Sequence, residues 1–265
     1  MSPAEHREVE KLQRAWDDRA KGYDEWYKTF QGAVDHHVDW ELLKRYLPKN
    51  KKATILDAAG GTGRITLPLA KMSYSLTLFD ISAAMLAVAK GKMLRERVSN
   101  RVNIARGDVR QLPFADEAFD FVLCWDGNMK AAGELIRVTK KGGRISIFLV
   151  NKWSTAVGNF YEQPDSVLTS LKSPHSAFED EDGEYRTVSP QEAVDAFVAQ
   201  GIKVLDIYAV CGWLDVLGVP QRVRQSRHWD QRLFRQTTEM VLRLSQEPSM
   251  KGMSRHLVLY GEKAL

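Results

Sequence analysis

The stretch Asp57-Ala58-Ala59-Gly60-Gly61-Thr62-Gly63 constrains this chain more than any other. It follows a short apolar run at 53–58 that reads as a strand. An amphipathic stretch at 64–72 that reads as a helix comes after it. Glycines at a strand-to-helix turn let a ligand approach the backbone and leave the first helical N–H groups free. In open α/β sheets the carboxyl ends of such strands form the ligand-binding edge.

The same alternation runs on. Segments 75–80, 100–105, 119–124, 144–150, 203–208 and 256–261 read as six further strands, most of them separated by amphipathic helical stretches. Ser82 is placed to cap a helix carrying Met85, Leu86, Ala89 and Met93 on one stripe. Segments 130–139 and 190–199 read as helices. Three regions stand outside the alternation and are expected to cap the sheet's active edge: a helical extension at 1–40, and insertions at 151–188 and 211–255. The expected division is a cap at 1–40, a core at 41–150, and a remainder at 151–265 that completes the sheet.

Composition excludes several classes. The 265 residues are 44% hydrophobic and 27% charged, which fits a folded globular chain. No run approaches the roughly 18 apolar residues of a membrane span, and the first residues show no apolar export signal. Cys124 and Cys211 are the only cysteines, and no Cys/His cluster has zinc spacing, so a reduced, cytoplasmic protein without a metal site is expected. The formal charge is +4. From Lys203 onward there are 10 basic and 6 acidic residues, and the rest of the chain balances at 28 of each. That excess is too small to declare nucleic-acid binding.

Three ligands compete for the glycine loop. A P-loop needs Lys-Ser/Thr at its end, where Arg64-Ile65 stands instead. A dinucleotide site would put Asp57 beside an anionic pyrophosphate, which is repulsive. S-adenosylmethionine (SAM) carries an ammonium and a sulfonium and no phosphate, so it suits a carboxylate there. Asp80 ends the second strand, where it can accept both ribose hydroxyls. Asp108 follows the third, where it can take the adenine amino proton, and Ile81 and Val109 are placed to sandwich the adenine ring. Three acids at three successive strand ends point to SAM more specifically than the loop alone.

These residues resemble the core of the class I SAM-dependent methyltransferases, close to the ubiquinone/menaquinone type. The resemblance is carried by the segment from Ile55 to Arg64, by Asp80-Ile81-Ser82 with Met85-Leu86, and by Gly107-Asp108-Val109 continuing to Phe114. The runs from Phe119 to Cys124 and from Arg137 to Gly143 extend it. It implies an α/β fold: a Rossmann-like, seven-stranded, mostly parallel sheet with helices on both faces and a helical cap. It implies SAM-binding roles for Asp57, Ala59, Gly60, Gly61, Gly63, Asp80, Ile81, Met85, Asp108 and Val109. Cys124 and Trp125 join them after the fourth strand, with Cys124 read as a core thiol lining the pocket. Upstream, Tyr23 within Ala20-Lys21-Gly22-Tyr23-Asp24-Glu25-Trp26 resembles the cap tyrosine that lies over the cofactor. Ala59 departs from the family's usual first glycine and fits if its φ is negative.

Methyl transfer needs a general base only when the nucleophile is protonated. Asp126, next to Trp125 and Asn128, is the candidate base, with an Asp-Gly turn as the alternative reading. His37, beside His36 in the cap, is a second candidate, with helix packing as the alternative. The ending from Leu242 to Pro248 and Ser254 to Tyr260 is similar to a methyltransferase subgroup that includes tRNA carboxymethoxyuridine enzymes. A helix expected at 221–245 would carry Arg224, Arg227, Arg232 and Arg235 on one face, either as a solvated side or as a phosphate-contacting stripe. Apolar residues Phe160, Tyr161, Phe178, Trp213 and Leu214 favour a small, partly apolar acceptor. The acceptor is thus expected to be a small molecule, with tRNA as the alternative and a non-catalytic SAM-binding regulator as a third reading. The oligomeric state is left open.

Overall fold

A computed structural model describes residues 3–125, 129–172, 177–180 and 183–265. The chain opens with α1 (Pro3–Arg19), a 3-10 turn (Tyr23–Lys28) and α2 (Phe30–Lys44). Then β1 (Thr54–Ala58), α3 (Thr66–Lys71), β2 (Ser75–Asp80), α4 (Ala83–Arg95), β3 (Val102–Arg106) and β4 (Phe119–Cys124) alternate. After α5 (Ala132–Val138) and β5 (Thr139–Asn151) come α6 (Lys152–Asn159), α7 (Pro164–Lys172), β6 (Ala177–Asp180) and β7 (Gly183–Val188). The chain continues through α8 (Pro190–Val198), β8 (Ile202–Val210), α9 (Trp213–Val216), α10 (Gln221–Arg224), α11 (Gln231–Gln246) and β9 (His256–Lys263).

The parallel array runs β3-β2-β1-β4-β5, and β9 then pairs antiparallel with both β5 and β8. Strand order reverses at β1, which lies between β2 and β4, so the crevice for a ligand opens above the carboxyl ends of β1 and β4. The seven expected strands are all in this sheet. It has more than seven: β7 joins the end of β5 through Val150–Thr187 and Asn151–Val188, and β6 pairs with β7 as a hairpin. The hairpin falls in the 151–188 segment expected to be a cap insertion, where no apolar alternation marks it.

Opposite faces of the strands feed two cores. Ile55, Phe121, Leu123 and Phe148 meet α2, α3 and α11, while Leu56, Val122, Ile145 and Ile147 meet α5 and α8. Burying both faces explains the nearly continuous apolar runs of β1, β4 and β5. Helix starts follow their caps. Ser82 accepts from Met85 N, and Ser189 and Glu192 form a reciprocal capping box at α8.

Two further expectations change. The single helix expected at 221–245 is broken into α10 and α11, with Asp230 starting α11 by accepting from Leu233 N. Arg224 and Arg227 are therefore not on one helical face with Arg232 and Arg235. Second, α2 continues across the expected 40/41 boundary, and Leu42 and Leu43 are fully buried against the sheet. Among the described residues, no helix is long and apolar enough to cross a membrane.

Candidate active site

A cavity of 740 Å³ lies between the carboxyl edge of the sheet and the amino-terminal cap. Its floor begins at the glycine loop, where Ala59, Gly61 and Gly63 all have left-handed backbones, with φ of 56°, 53° and 72°. The negative φ expected for Ala59 is not what the loop adopts, so its alanine sits in a conformation that costs an L-residue about 1–2 kcal/mol. Gly60 is required for space, because a Cβ there would stand 2.4 Å from Leu78 Cδ1 and 2.7 Å from Asp57 Cγ.

Carboxylates organise this end. Asp80 accepts from the Gly61 and Ser82 N–H groups, both at 2.8 Å, so it ties the loop to the start of α4. Asp57 is buried under the loop and accepts from Thr66 Oγ1 at 2.5 Å. Burial pushes its carboxyl up to about 6, against the lowering effects of Thr66 and Arg64. Asp108 is gripped by the Arg110 guanidinium, which reaches Glu8 of α1 at 3.3 Å.

The cap is fastened to the same loop. Asp24 accepts from Thr62 Oγ1 at 2.8 Å and pairs with Lys92 at 2.5 Å. Asp17 accepts from Ser82 Oγ and Ala84 N. Burial raises the Asp17 carboxyl, but these hydrogen bonds outweigh it and hold it below the usual range. Tyr23 is thereby held at the cavity wall, edge-on to Trp16 and Tyr27.

Of the residues expected to hold the cofactor, Tyr23, Ala59, Gly61, Asp80, Ile81, Met85, Asp108, Val109 and Trp125 line the cavity. Asp57, Gly60 and Gly63 lie behind the loop and shape it. Cys124, expected in the lining, is instead fully buried in the core with Ala58, Val122 and Ile147, because alternation along β4 turns it to the other sheet face. His37 is outside the lining, with its ring 5.7 Å from Phe234. Asp126 and Asn128 lie outside the described residues, as does the side chain of Phe178.

The far end of the cavity holds groups that sequence reasoning missed. Asp35 and Asp39 of α2 line it, as do Arg64 and His256. Arg64 stands 3.5 Å from Asp39 Oδ2, meets His36 Nδ1 at 2.8 Å, and lies over the Tyr27 ring at 4.5 Å. Burial, then repulsion from Asp39, pushes Asp35 up to about 8, and burial raises Asp39 to about 6. Burial also holds His36 and His256 down to about 4, so both rings are neutral near pH 7. The signal for the acids was an i, i+4 pair among Val34, Val38 and Leu42, a spacing that puts both on a buried face. Among the described residues, no three His, Cys, Asp or Glu side chains converge as a metal site.

Residues 55–143 match the model of the methyltransferase domain family. The core of this chain is that of a class I SAM-dependent methyltransferase. It is 29% identical over 163 residues to the ubiquinone/menaquinone biosynthesis C-methyltransferase UbiE of Pseudomonas paraeruginosa, covering 58% of this chain and 63% of that one. The chain thus spans under two thirds of that relative's length. Among solved structures, it is similar to the putative methyltransferase of Haloferax volcanii in complex with the Trm112 activator. The TM-score is 0.62 and the identity 16%, over 94% of this chain and 98% of that one. It is also similar to the geranyl diphosphate C-methyltransferase of Streptomyces coelicolor, solved with S-adenosyl-L-homocysteine. There the TM-score is 0.57 and the identity 13%, over 86% and 76%. At these identities the two structures speak for the fold alone.

Proposed function

We propose that the protein transfers a methyl group from SAM to a small-molecule acceptor, in the cytoplasm, where its sparse cysteine content fits. The observation that carries this reading is the cavity of 740 Å³. Its size is in the range of small-ligand sites, and the glycine loop and strand-end acids line one end while aromatic and titratable side chains line the other. The donor set fits SAM. Ile81, Val109 and Met85 offer apolar contact for an adenine, Asp80 a ribose acceptor held rigid by two N–H groups, and Asp57 a negative field beneath the loop. The UbiE relative is named for ubiquinone/menaquinone biosynthesis, which agrees with an acceptor of small-molecule size.

When bound, SAM supplies an electrophilic methyl group. The chain's own work is to hold the acceptor in line with it and keep water out. Tyr23 and Trp26 cover the cavity from the cap, and Trp125 closes the wall at the end of β4, its indole N–H donating to Ser146 Oγ at 2.9 Å.

For a tRNA acceptor, the broken arginine row removes the clearest support. Arg224 pairs with Asp215, and Arg227 with Glu25 at 3.1 Å. The test is transfer of radiolabelled methyl from SAM into a cell extract fractionated into RNA, protein and small molecules. Label in the small-molecule fraction is expected. Label in RNA alone overturns the acceptor class, and SAM binding without label anywhere supports the regulator reading instead.

A further inference from the structure

The far end of the cavity holds acids that the protein leaves largely unsatisfied. Asp35 and Asp39 are 2% and 3% exposed. Asp35 has no side-chain hydrogen-bond partner and only the Gly212 backbone near it as a donor, and Asp39 Oδ1 has no partner. Among the described residues, the partly buried Arg64 is the cation paired with them, and it is already shared among Asp39, His36 and the Tyr27 ring. Gln31, one turn before Asp35, donates to Asp215 at 2.7 Å. Arg255 also lines the cavity, but it is solvent-exposed and gives Asp35 no hydrogen bond. An ionised carboxylate buried without a partner costs several kcal/mol, and orphaned buried groups are rare enough to require an explanation.

The surroundings say which ligand would complete them. Trp26, Tyr27, Trp125 and Phe148 supply aromatic wall, with Trp125 stacked on Phe148 at 4.5 Å. Aromatic faces and carboxylates both attract cations. His256 adds a buried Nδ1 without a partner. This end also stands apart from the SAM end. Asp80 and Asp108 lie over β2 and β3, whereas Asp35 lies by Gly212, just past β8, and His256 begins β9. The order β3-β2-β1-β4-β5-β9-β8 puts those two regions at opposite sides of the sheet.

We propose that this chamber takes a protonated primary or secondary amine on an apolar or aromatic body, and that Asp35 binds the ammonium and accepts its proton. The proposal rests on the SAM methyltransferase reading above. The arriving ammonium favours ionised Asp35, whose own proton leaves to solvent, and the ammonium N–H then gives its proton to the Asp35 carboxylate. The freed nitrogen lone pair forms the N–C bond as the C–S bond of the sulfonium breaks, and that bonding pair stays on sulfur. The products are S-adenosylhomocysteine and an N-methylated ammonium carrying the charge the sulfonium had. Asp35 then loses its proton to solvent.

The test uses the full chain saturated with S-adenosylhomocysteine, titrated calorimetrically with benzylamine, 2-phenylethylamine and tryptamine, and with 2-phenylethanol and phenylacetate as uncharged and anionic counterparts. Radiolabelled methyl transfer to the same compounds from SAM runs in parallel. At least one amine is expected to bind about tenfold tighter than 2-phenylethanol and to be labelled. Asp35→Asn is expected to erase that preference and lower labelling about 100-fold, with affinity for S-adenosylhomocysteine kept within about twofold. Equal binding of alcohol and amine, no labelled amine, or a preference that survives in Asp35→Asn overturns the chamber assignment alone. Loss of S-adenosylhomocysteine affinity in Asp35→Asn also overturns it, because Asp35 would then serve the cofactor's own ammonium. If the unmodified protein does not bind S-adenosylhomocysteine, the methyltransferase reading falls, and this one with it.

Discussion

At one end of the cavity, Asp80 is clamped by the N–H groups of Gly61 and Ser82, and Asp108 by the Arg110 guanidinium. At the other end, Asp35 has no side-chain partner, with only the Gly212 backbone near it, and Asp39 shares a single guanidinium. All four are acids at the same edge of one sheet, yet the first pair is built into the fold and the second is held at a cost to it. A carboxylate satisfied by the protein holds its geometry before any ligand arrives. One left unsatisfied in a buried wall takes up a proton or waits for a ligand that carries the missing charge. The contrast assigns cofactor positioning to one end and acceptor chemistry to the other.

Removing a clamped acid should do the most damage. Asp80→Ala leaves two loop N–H groups without their acceptor and removes the ribose contact. S-adenosylhomocysteine affinity, measured by calorimetry, is expected to fall by about 3 kcal/mol, roughly 100-fold. A loss under about fivefold would erase the distinction between the two ends.

The unclamped acid should show itself in stability against pH. Asp35 has a folded pKa of about 8, above its ordinary value of 3.8, so the native state binds the extra proton between those limits. Its contribution is therefore fully present below pH 3.8 and is lost as pH rises through 8. Asp39, at about 6, acts in the same sense, while His36 and His256, near 4, oppose it only up to their unfolded value of 6.5. Above pH 6.5 Asp35 dominates among these four. Unfolding free energy is expected to fall by about 2 kcal/mol between pH 6.5 and 8, and to stay flat in Asp35→Asn. Urea titrations at the two pH values check this, and an equal slope in both proteins would contradict it.

Weaker effects sharpen the picture at the clamped end. Asp24→Ala removes the link from the cap to Thr62 and Lys92, and because Asp24 is partly exposed about 1 kcal/mol is expected, read as a roughly fivefold rise in the Kd for S-adenosylhomocysteine. Ala59→Gly relieves a left-handed alanine at φ 56° but adds unfolded-state entropy. A net gain of about 0.5 kcal/mol is expected, seen as a rise in Tm of about 1–2 °C.

The clamped end was largely legible in the amino-acid order, because each acid follows a strand whose apolar run announces where it stops. Asp57, Asp80 and Asp108 could be placed at one edge without knowing any contact. Asp35 and Asp39 were not placed there, since an acid on a helix ordinarily reads as solvated, although both share a buried face with Val34, Val38 and Leu42. The β6–β7 hairpin escaped for a related reason: its segment is charged, and short edge strands carry little apolar alternation to betray them. The break at 225–230 depends on Asp230 capping a new helix, a local choice that an unbroken apolar stripe conceals. Ala59 shows the limit of reasoning from residue type, because the loop imposes a left-handed turn that its residue does not prefer.

The most direct measurement is a crystal structure of the protein with S-adenosylhomocysteine. The account predicts adenine between Ile81 and Val109, ribose hydroxyls on Asp80, and Asp35 facing the part of the cavity that the cofactor leaves open. A methionine moiety reaching Asp35, or a cofactor lying away from Asp80, would contradict it.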